Sequence, residues 1–280
     1  LEQFWSHLEA GRDCLDRPSQ GQLERAGVKS ETISNPAFVG SIPQMDGIEH
    51  FDAEFFGINR VQAELTDPSH RVFLECVWEA MEHAGIIPGE GDNLTGVFAG
   101  VEGDYDQCNL TTKIGESTNE NIPRVIGNSM EYLTLRVSHE LNLVGPSFSS
   151  VAACATSLLA VHTAVQNLRL GDCSVAIAGG SRVEVSIANG SISAIDGMLS
   201  PSGVIRPFDA KADGTVFGQG TGVVVLKRLK DAIKDGNQIH GVILGTGFSN
   251  DGKPDDKKSF IAPAASGQAR AIRKAIQDAG

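Results

Sequence analysis

Downstream of Asp67-Pro68 the apolar residues Val72, Leu74, Val77, Trp78, Met81 and Ala84 recur at helical spacing, and Gly85 follows them. Asp in the capping position, Pro at the first helical position and Gly just past the end predict one helix here. A second helix is predicted over 130–141. A third, over 155–170, carries Leu158, Leu159, Val161, Ala164, Val165 and Leu168, stops at Gly171 and reads as a long buried helix. The runs 94–101 (LTGVFAGV) and 174–180 (SVAIAGG) are apolar without alternation, as strands buried on both faces are. Two further strands are predicted over 222–229 (GVVVLKRL) and 240–246 (HGVILGT). Weaker signals give a short helix at 4–10, an aromatic cluster at 51–56 set to pack inward, and an amphipathic helix at 266–279. The polar stretch 103–122 reads as a surface loop or lid. Strands alternating with helices predict an α/β fold whose sheet is largely parallel or mixed and covered on both faces.

Composition narrows the function classes. The chain has 280 residues, enough for one large domain or two small ones. Asp plus Glu is 35 against 23 Lys plus Arg, a formal charge of −12, which disfavours coating nucleic acid or an anionic membrane. No uncharged apolar run approaches the roughly 18 residues of a membrane span. The first residues have neither the basic start nor the apolar core of a signal peptide, so a cytoplasmic protein is expected. The chain does not begin with Met and is expected to be cut from something longer. Cys14, Cys76, Cys108, Cys154 and Cys173 are odd in number and widely spaced, without a CxxC pair. That pattern predicts reduced thiols rather than disulfides or a zinc site.

Cys154 is the foremost chemical candidate, because it stands where a short strand turns into a long helix. Unpaired N–H groups and the helix dipole favour a thiolate there, and the same groups suit an oxyanion. The competing reading makes it one more small residue packed in an Ala-rich turn. His162, two turns into the helix, reads as packed, and the seven histidines form no metal-ligand cluster. Gly218-Gln219-Gly220-Thr221-Gly222 leads into a strand, whereas a dinucleotide loop follows a strand and opens a helix, so these glycines are assigned to a bend or close packing. The loop 251–258 reads as a solvated turn. Three glycosylation sequons, at Asn93, Asn109 and Asn189, carry little weight without a signal peptide.

Gly145-Pro146-Ser147, followed by Ala153-Cys154-Ala155-Thr156-Ser157-Leu158, resembles the nucleophile segment of the β-ketoacyl synthases. Phe51-Asp52-Ala53-Glu54-Phe55-Phe56-Gly57, Asp67-Pro68-Ser69-His70-Arg71 and Trp78-Glu79-Ala80 are similar to successive landmarks of ketosynthases from modular polyketide synthases. So are Arg206-Pro207-Phe208-Asp209-Ala210, Asp213-Gly214 and the run Gly222-Val223-Val224-Val225-Leu226-Lys227. The resemblance extends over nearly the whole chain. It implies a thiolase-like fold of layered α-β-α-β-α type, here its N-terminal half (1–237) and the truncated start of the second half (238–280).

In that family the cysteine takes an acyl chain from the phosphopantetheine arm of an acyl carrier protein. A malonyl-type extender then loses CO2, and its enolate attacks the acyl-cysteine. The resemblance therefore implies that Cys154 is the acyl acceptor and its backbone N–H an oxyanion donor, with acyl and malonyl thioesters as substrates. It implies no cofactor bound directly, since the phosphopantetheine belongs to the carrier, and it implies a homodimer. The family's two histidines, in a His-Gly-Thr-Gly-Thr and a Gly-His segment, do not occur in this sequence, so the chain alone is expected to condense nothing. Val151, Ala152 and Ala155 stand where relatives commonly carry polar residues. The alternatives are a thiolase or starter-type synthase using coenzyme A thioesters, and a pseudo-ketosynthase that holds acyl chains without condensing them.

Overall fold

The computed structural model describes residues 2–43, 45–90, 94–102, 118–184, 190–193 and 197–280, with main chain alone for 118–121. Along the chain run α1 (Glu2–Glu9), β1 (Leu15–Asp16), α2 (Gln20–Arg25), α3 (Ser30–Ile33), β2 (Phe38–Val39), β3 (Ile42–Pro43), α4 (Arg60–Leu65), α5 (Pro68–His83) and β4 (Thr95–Glu102). They are followed by α6 (Thr118–Asn128), α7 (Tyr132–Glu140), β5 (Ser147–Ser149), a 3-10 turn (Ala153–Ala155), α8 (Thr156–Leu170) and β6 (Val175–Arg182). Then come β7 (Ser191–Ile192), β8 (Gly220–Lys227), α9 (Leu229–Lys234) and α10 (Ala265–Ala279). Two compact units result, one from 1–50 and 182–220, the other from 51–181 and 221–280.

The larger unit is built on a sheet of order β5-β4-β6-β8, in which β4 and β5 are parallel with Val97 opposite Ser147 and Ala99 opposite Ser149. Successive residues of β4 enter opposite faces, as a period of two requires. Val97, Ala99 and Val101 join Phe73, Leu74, Val77 and Met81 of α5 and Leu133 and Val137 of α7. Phe98 points the other way, into a second cluster with Ala160, Ala164 and Leu168 of α8 and Ala176 and Ala178 of β6. Both faces are therefore covered, which is why these strands lack polar alternation.

The helix predicted from Asp67-Pro68 forms as α5. The Asp67 carboxylate accepts the Ser69 N–H at 2.7 Å, and Gly85 adopts φ +66° just beyond the helix. The aromatic cluster packs as expected: Phe51 stacks on Phe56 at 5.5 Å, and Phe55 meets the Trp78 ring edge-on at 4.9 Å. On the same helix His70 is fully buried, with neither ring nitrogen hydrogen-bonded to a described residue.

Four expectations are corrected. The segment 240–246 forms no strand: a strand exists only through a ladder, and no described segment pairs with it, so Val242, Ile243 and Leu244 stay exposed. Helix α8 is not buried all round; Ala160, Ala164 and Leu168 are its buried residues, while Leu158 and Leu170 are 75% and 76% exposed. The stretch expected as a loop to 122 is helical from Thr118, because α6 gains its burial late, at Asn128 and the adjoining Ser129. The loop 251–258 is structural as well as solvated. Asp251 accepts the Ala264 N–H at 3.0 Å and Asp256 the Ser266 N–H at 2.8 Å, so together they hold the start of α10. Residues 103–117, Cys108 and the sequon residues Asn93, Asn109 and Asn189 lie outside the described residues.

In the smaller unit β1 pairs antiparallel with β3, and β2 with β7. Ser19 and Gln22 form a reciprocal capping box at the start of α2. A cavity of about 130 Å³ is lined in part by Ile42, Arg182, Glu184 and Phe217. Its guanidinium is already committed, to the Gly218 carbonyl at 2.6 Å and to Glu184 at 3.4 Å.

Candidate active site

The site is the turn between β5 and α8. After β5 the Ser150 N–H still bonds the Ala99 carbonyl at 2.7 Å, extending the parallel ladder by one residue. The chain then reverses through Ala152 (φ −149°, ψ 37°) and Ala153, whose φ of +47° lies in the left-handed region. That conformation costs an L-residue roughly 1–2 kcal/mol, so the surroundings must hold it. Ala155 N–H bonds the Ala152 carbonyl at 3.0 Å, and Thr156 N–H bonds Ala153. Ala152 N–H in turn donates to the Thr156 hydroxyl at 2.9 Å.

Cys154 occupies the middle of this turn and is exposed. Its amide has no backbone acceptor among the described residues, and no side chain caps α8 at Ala155. An exposed thiol thus lies beside a free N–H at the positive end of a 15-residue helix. Sequence reasoning placed Cys154 at a strand-to-helix turn, and the structure puts it there.

Two glycines let the turn lie on the sheet, and sequence reasoning missed both. A Cβ on Gly100 of β4 would overlap the Thr156 γ-methyl and the Ser150 carbonyl. A Cβ on Gly180 of β6 would stand 3.2 Å from Ser157 Cβ. The signal was present in LTGVFAGV and SVAIAGG, since a glycine inside a strand marks a close approach of backbone. The run from Gly218 to Gly222 enters β8, and the Gly222 carbonyl lies where a Cβ on Gly179 would fall, which is close packing.

The other thiols differ in kind. Burial pushes Cys76 up to about 11, helped by Glu79 and Glu75, and burial likewise raises Cys173. Cys14 is exposed, 3.9 Å from His7 Nδ1. His162 is engaged elsewhere: its Nδ1 is 2.8 Å from the Thr246 hydroxyl and its ring meets Phe248 edge-on, with burial lowering its pKa. Among the described residues no group of three His, Cys, Asp or Glu is placed to hold a metal ion. Nor is any helix there long and apolar enough to cross a membrane.

Residues 1–232 match the family described as beta-ketoacyl synthase, N-terminal domain. Over 283 residues the chain is 40% identical to one component of the phenolphthiocerol/phthiocerol polyketide synthase of Mycobacterium tuberculosis, covering 98% of this chain and 19% of that protein. It is 42% identical to a second component of the same synthase, covering 100% of this chain and 15% of the relative. Among solved structures, ketosynthase twelve of the bacillaene polyketide synthase of Bacillus amyloliquefaciens superposes with a TM-score of 0.90 at 30% identity, over 99% of this chain and 48% of that one. The module 1 ketosynthase of the bacillaene synthase gives 0.83 at 32% identity, again over 48% of its length. The chain thus spans about half of these ketosynthases and under a fifth of the curated relatives.

Proposed function

The chain belongs to the β-ketoacyl synthase family, of whose N-terminal domain it is a member with the thiolase-like fold, and on that footing we propose that Cys154 accepts an acyl group by thioester exchange. The observation that carries this reading is an exposed thiol beside an unbonded amide at the start of α8. The Cys154 thiolate attacks the carbonyl carbon of an acyl phosphopantetheine thioester. The carbonyl oxygen becomes an oxyanion facing the Cys154 N–H, and the pantetheine sulfur leaves as the thiolate, regaining the proton that Cys154 gave up. The acyl chain is then held as a thioester on the protein.

In the intact enzyme this acyl-cysteine is the electrophile for a malonyl-type extender that loses CO2. The two histidine motifs of the family do not occur in these 280 residues, so the chain by itself is assigned the acylation half of the reaction. We take 1–237 as the nucleophile-bearing half and 238–280 as the start of the second. An acyl carrier protein as donor, a homodimeric enzyme and a cytosolic setting complete the proposal. A second reading, an acyl-holding protein that does not condense, draws on Val151 and Ala152, which offer no hydroxyl beside the nucleophile.

The test is intact mass after incubation with an acyl phosphopantetheine thioester, beside Cys154→Ala. One adduct in the parent chain and none in the variant is expected; an adduct that survives the substitution refutes the assignment. The same assay with coenzyme A thioesters distinguishes the donor, and a complete domain that acylates but releases no condensed product favours the second reading.

A further inference from the structure

We infer that Thr156 is the positioning residue of the nucleophile turn, and that its hydroxyl, beyond its bulk, sets the alignment of the Cys154 thiol with the Cys154 amide. The inference rests on the reading of Cys154 as acyl acceptor. From Val151 to Ala155 no side chain carries a hydroxyl, amide or carboxylate. A strained turn of this composition cannot fasten itself: Ala153 sits at φ +47° with only a methyl group, and the Ala152 N–H points away from any backbone acceptor among the described residues. Thr156 supplies the missing fastening. Its hydroxyl accepts the Ala152 N–H at 2.9 Å, closing a ring around Ala153, Cys154 and Ala155.

The other arm of the same side chain fixes where that hydroxyl points. The Thr156 γ-methyl fills the space over Gly100 that a Cβ on that glycine would take. A β-branched side chain with its methyl so lodged has one rotamer available, which leaves the hydroxyl on Ala152. Thr156 is also the first residue of α8, so the turn is tied directly to the helix whose amino end faces the thiol. Thr156 touches no reacting atom; it acts through the backbone on either side of Cys154.

Thr156→Val keeps the methyl and the shape but removes the acceptor, and Thr156→Ser keeps the acceptor. Three rates decide the matter on the full chain: Cys154 acylation by an acyl pantetheine thioester across donor concentrations, Cys154 alkylation by iodoacetamide, and amide hydrogen exchange in the peptide 148–158. For Thr156→Val the maximal acylation rate should fall about tenfold, the order of one net hydrogen bond, with the half-saturating concentration unchanged. Alkylation needs the thiol but no oxyanion donor and should change less than about twofold. Exchange should quicken, and Thr156→Ser should restore all three. Acylation of Thr156→Val at the parental rate overturns the inference, and so does equal slowing in the Val and Ser variants. If Thr156→Val does not fold, Thr156→Ala against Thr156→Ser makes the same comparison. Should the parent chain take no acyl group on Cys154, the acyl-acceptor reading fails, and exchange alone decides whether the hydroxyl fastens the turn.

Discussion

Cys154 stands just before α8 and Cys173 just beyond it, so one helix carries a thiol at each end. Each has a small residue on at least one side. Yet Cys154 is exposed, while Cys173 is 1% accessible and lies in the cluster with Phe98, Ala164 and Leu168. Burial holds the Cys173 thiol above its ordinary range, which keeps it protonated and inert. On the acyl-acceptor role proposed for Cys154, position makes the nucleophile, at the amino end of a helix and outside the core. Residue type alone does not make it.

The strongest way to break this comparison is to exchange the ends. Cys154→Ala should abolish acylation, whereas Cys173→Ala should leave the adduct intact and cost stability through lost packing; an adduct lost in both would show that the two ends are coupled. Next in size is Gly100→Ala. The new methyl meets the Thr156 methyl and the Ser150 carbonyl, so the turn must shift. Overpacking of this kind costs typically about 1–3 kcal/mol. Cys154 acylation should drop by roughly fivefold to a hundredfold on that scale, while Cys173 stays protected from alkylation in the same sample.

Acid should blur the contrast. Burial, with Arg136 nearby, pulls His70 down to about 3 from its ordinary 6.5. The unfolded chain therefore binds a proton on His70 below pH 6.5 that the folded chain refuses. The stability this group contributes is whole above about 6.5 and drains as pH falls toward 3, by at most about 1.4 kcal/mol per pH unit. The chain should accordingly unfold at a lower urea concentration at about pH 5 than at about pH 7. His70→Gln should flatten that dependence; an unchanged slope would assign the acid effect to other groups. The smallest effect is expected at Asp256→Ala. It removes both acceptors that hold Ser266 and should lower the melting temperature slightly, with Cys154 acylation unaltered.

Much of this was legible in the chain. Strands β4 and β6 announce themselves because burial on two faces leaves no room for polar residues. Helix α5 does so because Asp67, Pro68 and Gly85 mark its ends. The place of Cys154 was legible too, in the turn before a helix whose far end Gly171 fixes at φ +87°. The segment 240–246 was not, since its apolar run satisfies the local pattern of a strand while the decisive property, a neighbour to pair with, is not local. Thr156 was equally silent. A threonine at the head of a helix has many uses, and only the fold brings Gly100 beneath its methyl and Ala152 within reach of its hydroxyl. Likewise Asp251 and Asp256 look like solvated loop residues until the chain returns and presents the bare start of α10.

Arg228 adds a consequence for the helix as a whole. One nitrogen of its guanidinium donates to the Leu168 carbonyl at 2.7 Å and to the Cys173 carbonyl at 2.9 Å. A fixed cation therefore sits against the carbonyl pole of α8, while the amide pole beside Cys154 has no counter-charge from a capping side chain. Electrically the helix is a battery with one terminal wired internally and the other left open, and negative charge arriving at Cys154 completes the circuit.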